Sequence, residues 1–204
     1  MSTADDLARA IRARAGTGAR RFIVALAGAP GAGKSTMVAN LARDLGQVAA
    51  VVPMDGYHLD NAVLDDRGQR ARKGAPWTFD VAGLSRDLER LRADDGPVLV
   101  PVFDRDLDLS RAAARQIAPE ARILLVEGNY LLVQENPWSS LARFWDLDVM
   151  LSVPEDELNR RLVARWLAHG HSPDAARARA EGNDLPNARY VITHSRPAQI
   201  VITS

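Results

Sequence analysis

Short apolar runs alternate with segments of helical periodicity along most of the chain. The runs indicate buried strands at 21–28, 48–53, 122–128 and 147–153, and a β-branched run indicates a last strand at 199–203. Continuous apolar runs, unlike alternating ones, are typical of parallel strands that are covered on both faces. The pattern therefore predicts an α/β fold with a parallel sheet between helices.

Helical segments and irregular segments fill the space between these strands. Apolar residues lie three or four positions apart at 35–46 and 83–96, which predicts helices with one buried face, and Pro154 predicts the start of a third helix. The stretches 56–80 and 103–119 are polar and irregular. Long irregular stretches inside a compact domain are usually functional or disordered, so we expect the specificity of the protein to reside there.

Composition narrows the class of protein. With 204 residues, 47% apolar and 25% charged residues, the chain is expected to form one globular domain over 1–204. A net charge of zero gives no reason to expect nucleic acid or an anionic membrane as a partner. No apolar run reaches the roughly 18 residues of a membrane span, and the charged start of the chain does not resemble a signal peptide. Because cysteine is absent, we expect a cytoplasmic protein.

The stretch GAPGAGKST fits the phosphate-binding pattern G-x-x-x-x-G-K-[ST] between a strand and a helix. Bare backbone lets successive N–H groups surround phosphate oxygens, and the following helix adds its positive end. Lys34 then reaches the β- and γ-phosphates, and the hydroxyl of Ser35 binds Mg²⁺. The glycine spacing does not fit a dinucleotide-binding site. We expect ATP to contact Gly28, Ala29, Pro30, Gly31, Ala32, Gly33, Lys34, Ser35 and Thr36.

Two carboxylates follow other strands and are expected near the same phosphates, because ligands bind beyond the carboxyl ends of parallel strands. Asp55 could orient an acceptor hydroxyl and take its proton, and Glu127 could bind Mg²⁺ directly or through water. The alternatives are a solvated turn aspartate and an exposed strand-end glutamate. Tyr57 and His58 could line an acceptor pocket. A regulatory GTPase is disfavoured because neither lysine lies in an Asn-Lys-x-Asp motif.

Five segments in order, GAPGAGKST, MDGYH, RKGAPWTFD, PVFDRD and VEGNYLL, resemble the P-loop metabolite kinases grouped with uridine kinase, pantothenate kinase and phosphoribulokinase. The resemblance spans 21–203 and is greatest to bacterial members labelled fructose-transport-system kinase or nucleoside kinase-like. It implies a five-stranded parallel sheet of order 2-3-1-4-5, helices on both faces, a small helical lid, and the use of ATP with Mg²⁺.

The resemblance also assigns roles by position. Asp55 matches the proposed general base, and Glu127 matches the acidic residue of the family's EG motif. Lys73 lies in a substrate-side KG-P segment. Asp104 and Arg105 border the acceptor pocket, although Arg105 replaces a histidine that the pantothenate enzymes carry there.

The family's lid carries arginines that cover the transferring phosphate, and here it is expected at about 160–185. Arg160 and Arg161 each follow an acidic residue by four positions, which is ordinary helical pairing. Arg165 lacks such a partner and is therefore the preferred catalytic arginine. Trp138, Trp145 and Trp166 are interpreted as packing residues.

The sequence thus predicts an ATP-dependent kinase that phosphorylates a hydroxyl of a small metabolite, for example a sugar such as fructose. The expected catalytic residues are Lys34, Asp55, Glu127 and Arg165. A nucleoside or pantothenate kinase is the first alternative, and a regulatory nucleotide-binding protein or weak ATPase is the second. The oligomeric state stays open, with a homodimer as one option.

Overall fold

A computed structural model describes residues 4–16, 18, 20–94 and 96–203. Seven strands are present in these residues: β1 Phe22–Gly28, β2 Ala49–Pro53, β3 Val98–Asp104, β4 Leu109–Ile117, β5 Ile123–Gly128, β6 Leu147–Ser152 and β7 Ile200–Thr203. Five of them form a parallel sheet in the order β2-β5-β1-β6-β7. Counted among themselves, these five strands follow the predicted order 2-3-1-4-5.

Helices cover both faces of the sheet. They are α1 Ala4–Ala15, α2 Lys34–Leu45, α3 Asn61–Asp66, α4 Val81–Ala93, α5 Glu155–Ala168, α6 Pro173–Arg179 and α7 Leu185–His194. A π-helical turn, Ala180–Asp184, joins α6 to α7. Shorter 3₁₀ turns lie at Gly46–Val48, Met54–Tyr57, Arg70–Arg72 and Trp138–Phe144. None of the described helices is long and apolar enough to span a membrane.

The alternation of side chains along β1 divides the interior into two layers. Ile23 belongs to a buried cluster with Leu84 of α4, and its neighbour Val24 belongs to the opposite cluster with Leu7 of α1 and Leu41 of α2. All five side chains have no exposed surface. A strand that is buried on both faces requires a continuous apolar run, which explains why the central strands were predictable.

The two stretches predicted to be irregular contain regular structure. The region 103–119 lies mostly in an antiparallel hairpin of β3 and β4, whose register shifts between Val100 and Val102. Pro101 stands at this shift because it has no N–H to donate to the partner strand. The region 56–80 contains α3 and a 3₁₀ turn. The prediction of two irregular loops is therefore wrong, although both stretches border the cavity described below.

The region predicted as a lid, 160–185, comprises the end of α5, α6 and the π-helical turn. It holds a small buried cluster of its own, in which Leu162, Ala180 and Leu185 pack with Trp166 and Val163. This cluster is separate from the two layers beside the sheet.

Candidate active site

A cavity of about 1040 Å³ lies beyond the carboxyl ends of β1, β2 and β5, beneath the lid. In the sheet, Glu127 of β5 is level with Leu26 of β1 and Pro53 of β2. The structure brings together most of the predicted site residues on the cavity wall: Pro30, Gly31, Gly33, Lys34, Ser35, Thr36, Asp55, His58, Lys73, Arg105, Glu127 and Arg165.

The loop between β1 and α2 presents backbone to the cavity. Gly33 precedes α2 with φ of 88°, a left-handed conformation that favours glycine, and no side chain caps the helix. The first N–H groups of α2 are thus left for a ligand. Gly28, the last residue of β1, and Ala29 and Ala32 of the loop are buried behind this surface and do not line the cavity, unlike the other residues expected to contact ATP. A Cβ atom on Gly28 would lie 2.9 Å from the carbonyl oxygen of Leu151.

The ammonium group of Lys34 is buried at the base of this loop. Its Nζ atom donates to the carbonyl of Ala29 at 3.0 Å and to Oδ1 of Asn129 at 2.6 Å. Burial lowers the pKa of Lys34, whereas the negative charges of Glu127 and Asp55 act to raise it. The side chain is therefore held at the position from which it can reach a bound phosphate.

Glu127 and Ser35 face each other across the cavity floor. Burial raises the pKa of Glu127, and the charge of Asp55 raises it further. The positive charges of Lys34 and Arg105, and the nearby hydroxyl of Ser35, oppose this rise in pKa. The charges of Asp55 and Glu127 act on the same part of the cavity and make its floor electronegative, which suits a divalent cation.

These groups fit a magnesium ion that is bound together with phosphates. Among the described residues, no group of three or more histidine or acidic side chains could hold a metal ion. Mg²⁺ in kinases typically takes one or two carboxylates, and substrate phosphates and waters complete its octahedron. The hydroxyl of Ser35 and the carboxylate of Glu127 supply oxygen ligands of the required kind.

Asp55 lies in the 3₁₀ turn directly after β2, and about 30% of its side chain is exposed. Its Oδ2 atom pairs with Nη2 of Arg105 at 3.3 Å, so the hairpin turn contributes a cation beside the carboxylate. The ring of His58 lies 4.1 Å from that of Phe79 and 4.6 Å from that of Phe103. Burial lowers the pKa of His58, whose Nδ1 atom is 2.8 Å from the carbonyl oxygen of Asp55.

Two predicted acceptor contacts do not reach the cavity. Tyr57 is buried in the core beneath it, where its hydroxyl donates to Asp87 at 2.9 Å. Asp104 pairs with Arg111 of β4 at 3.2 Å and accepts from the N–H of Leu107, so it shapes the hairpin turn. The structure corrects both expectations, because each side chain satisfies a partner on its own side of the fold.

Lys73 lies on the cavity wall, but its ammonium group already makes hydrogen bonds and an ion pair within the chain. Its Nζ atom contacts Oδ1 of Asn61 at 2.7 Å, the carbonyl oxygen of Asp108 at 2.5 Å and a carboxylate oxygen of Asp108 at 3.1 Å. It also lies 4.9 Å from the ring centre of Phe103. Lys73 therefore ties α3 to the hairpin and shapes the acceptor side of the cavity.

Arg161 and Arg165 both line the cavity, whereas Arg160 does not. Glu157 pairs with Arg161 at the predicted spacing of four, but it also pairs with Arg160, for which the spacing had predicted Asp156 instead. Arg165 was selected for lacking an acidic partner, and this reasoning is wrong, because Nη2 of Arg165 lies 3.2 Å from Oδ2 of Asp184. Spacing along α5 could not predict this partner, because Asp184 lies in the π-helical turn and not in the same helix.

Sequence reasoning missed several residues of the cavity wall. Asn129 holds Lys34 but carries no spacing signal, and Asp184 and Arg179 lie in a lid segment without a motif. Trp166 was expected to be a packing residue. It packs against the lid cluster as expected, and its ring also lines the cavity, with the guanidinium carbon of Arg165 5.1 Å and that of Arg179 4.3 Å from the ring centre.

A phosphate loop at the end of the first sheet strand, with a buried lysine and two carboxylates at the carboxyl ends of neighbouring strands, is the site of a P-loop nucleotide-binding protein and fits a kinase. Comparison with known proteins agrees. A crystal structure of a candidate fructose transport system kinase from Silicibacter sp. TM1040 matches with a TM-score of 0.93 and 44% identity, covering 98% of this chain and 99% of that one.

Two curated relatives are also similar to this chain over most of its length. The uncharacterised protein YggC of Escherichia coli K12 is 36% identical over 189 residues, which cover 90% of this chain and 78% of that protein. A candidate uridine kinase of Schizosaccharomyces pombe, C227.14, is 34% identical over 196 residues, which cover 90% of this chain and 83% of that protein. No protein-family model matches the chain. The chain belongs to the P-loop small-metabolite kinases of the uridine kinase and pantothenate kinase group.

Proposed function

We propose that this protein transfers the γ-phosphoryl group of ATP to a hydroxyl group of a small sugar or related polyol. The observation that carries the proposal is the convergence of Lys34, Ser35, Asp55 and Glu127 on one cavity at the carboxyl end of the sheet. Such a site lowers the barrier by positioning the reactants and neutralising charge, which is the main requirement of phosphoryl transfer.

The triphosphate is held by the loop from Gly28 to Thr36. The uncapped N–H groups of α2 and the ammonium group of Lys34 face the phosphate oxygens. Ser35 and Glu127 would hold Mg²⁺, which supplies positive charge to the phosphate oxygens when bound. Release of Lys34 from the carbonyl of Ala29 would free a proton donor for the ligand.

The acceptor is activated by Asp55. Its carboxylate aligns the hydroxyl group and takes the hydroxyl proton as the new oxygen–phosphorus bond forms and the bond to the leaving ADP breaks. Arg105 pairs with this carboxylate and orients it. Arg165 then neutralises charge on the transferred group, and closure of the lid excludes water.

A sugar is favoured as the acceptor on two grounds. The name of the Silicibacter relative, which is 44% identical over nearly the full length, refers to fructose transport. In addition, amide side chains suited to hydroxyl groups line the cavity, namely Asn129, Asn183 and Asn187. A nucleoside is the second candidate, because Phe79 and Phe103 also line the cavity and could contact a flat base.

The proposal is tested by an ATP-consumption screen over hexoses, polyols, nucleosides and pantothenate, with the mass of each product measured. The substitution Asp55→Asn should lower kcat at least about 100-fold and leave nucleotide affinity nearly unchanged. Asp66→Asn, an exposed carboxylate on α3, serves as the control. If hydrolysis without an acceptor is the only activity and D55N leaves it intact, the protein is a weak ATPase or a regulatory nucleotide binder instead.

A further inference from the structure

The lid places a carboxylate in the cavity that is expected to hold a triphosphate. Asp184 ends the π-helical turn, is only 8% exposed and lines the cavity wall. A buried negative charge repels phosphate, so this side chain weakens nucleotide binding. Its presence in the cavity therefore indicates that it has another role. Its neighbours within the chain indicate that role.

Asp184 contacts Arg165, the arginine that is proposed to neutralise charge on the transferred phosphoryl group. Its Oδ2 atom accepts from Nη2 of Arg165 at 3.2 Å and from Nε1 of Trp166 at 2.6 Å. The guanidinium group of Arg165 therefore has a carboxylate partner before any phosphate arrives. The positive charge of Arg165 also contributes to lowering the pKa of Lys34, so the two cations act on the same part of the cavity.

The same turn contacts the acceptor side of the cavity. Nδ2 of Asn183 donates to the carbonyl oxygen of Lys73 at 2.9 Å, and Lys73 borders the hairpin and the aromatic rings. Asn183 lines the cavity, and its Oδ1 atom is buried without a hydrogen-bond partner in the described part of the chain. An acceptor hydroxyl could satisfy this atom. A π-helical turn is an irregular element of the kind often found at functional sites.

We propose that Asp184 restrains Arg165 from the γ-phosphate until an acceptor hydroxyl occupies the cavity beside Asn183, and thereby limits hydrolysis of ATP by water. Asp184 is a positioning residue in this scheme, because it acts through Arg165. The inference rests on the proposed phosphoryl transfer. Its physical basis is competition for charge, since the positive charge of Arg165 attracts a phosphate less strongly while the carboxylate of Asp184 partly neutralises it.

The substitution Asp184→Asn tests the restraint. Asparagine keeps the shape and an oxygen for Trp166 but removes the charge that pairs with Arg165. We expect acceptor-independent ATP hydrolysis to rise about fivefold, and nucleotide affinity to increase by a similar factor, a modest coupling for interacting sites. Asp174→Asn is the matched control, because it removes one exposed carboxylate of the same lid outside the cavity.

A double-mutant cycle identifies the route. In an Arg165→Gln background, D184N should no longer raise hydrolysis, because the restrained group is gone, and it should raise nucleotide affinity less than in the wild-type background, since only the direct repulsion between Asp184 and phosphate is then relieved. Asp184→Glu, which retains the charge, should keep hydrolysis low. Asp184→Ser removes the charge in a smaller side chain and replaces D184N if the latter does not fold.

Two results would overturn the restraint: D184N leaves hydrolysis and nucleotide affinity unchanged, or it changes them equally with and without Arg165. Nucleotide affinity is measured from the quenching of tryptophan fluorescence and needs no turnover. The restraint is therefore testable even if no acceptor is ever phosphorylated. Failure of the acceptor screen would refute the kinase proposal alone, whereas an affinity unaffected by D184N would refute the restraint alone.

Discussion

The substitution Gly128→Ala is expected to lower kcat by displacing the backbone that carries the site's carboxylates, although Gly128 itself contacts no reacting atom. Gly128 directly follows Glu127, and Met54 directly precedes Asp55. A Cβ atom built on Gly128 would lie 2.4 Å from Cβ and 2.6 Å from Sδ of Met54, which is fully buried. Alanine would therefore push apart the two segments that carry the site's carboxylates.

The structure gives the size of this displacement. Ordinary contacts begin at 3.4 Å, so the two Cβ atoms must separate by about 1 Å. Overpacking of this kind costs about 2 kcal/mol, which lowers the Tm of a chain of this length by roughly 4–8 °C. A misplacement of about 1 Å in a catalytic group reduces kcat about 100-fold. Nucleotide affinity should change less, because the phosphate loop follows β1 and not β5.

Steady-state kinetics and thermal unfolding of G128A check these values. Gly18→Ala is the control, because a Cβ there would meet nothing within 4 Å. Met54→Ala should not rescue G128A, since alanine keeps the Cβ atom that makes the shortest contact. A G128A protein with normal kcat and Tm, or one restored by M54A, would show that the clash is relieved by side-chain movement and that the reasoning is wrong.

Two further substitutions test the environment of buried polar groups. Because burial lowers the pKa of His58 below its usual 6.5, the unfolded chain takes up a proton that the folded chain does not; stability present above pH 6.5 is lost as the pH falls. His58→Asn should thus lose less stability between pH 7 and pH 5 in urea unfolding than the wild-type protein, whereas His169→Asn, at an exposed position, should follow the wild type. Asp148 is 2% exposed and accepts from Arg196 at 2.7 Å, so Asp148→Asn should cost about 3 kcal/mol in the same assay. Equal stability of D148N and the wild type would contradict this estimate.

The central sheet and the phosphate loop were predictable because both are encoded locally. A strand buried on both faces needs an unbroken apolar run, and the sequence from Arg21 to Thr36 contains the strand, the loop and the helix start in succession. Asp55 and Glu127 were found because each directly follows or ends such a strand. Parallel strands bring those positions to one edge of the sheet without further information.

The remaining features depend on contacts between distant segments. The strand β4 has the sequence LSRAAARQI, whose alanines and arginines favour helices and show no alternation, so only its pairing with β3 makes it a strand. The helix α1 was not predicted from its apolar positions, such as Leu7 and Ile11, because their burial depends on packing against α2. The pairing of Arg165 with Asp184 spans a turn and another helix, beyond the reach of helical spacing.

Because the N-terminus of α2 has no side-chain cap, a bound nucleotide should contribute to the stability of the fold. Since no side chain satisfies the first amides of this helix, an anion in the loop acts as its missing cap. A ligand present at 100 times its Kd would add about 2.7 kcal/mol to the free energy of unfolding. The free energy of unfolding would thus rise and fall with the concentration of nucleotide around the protein, independently of whether an acceptor is present.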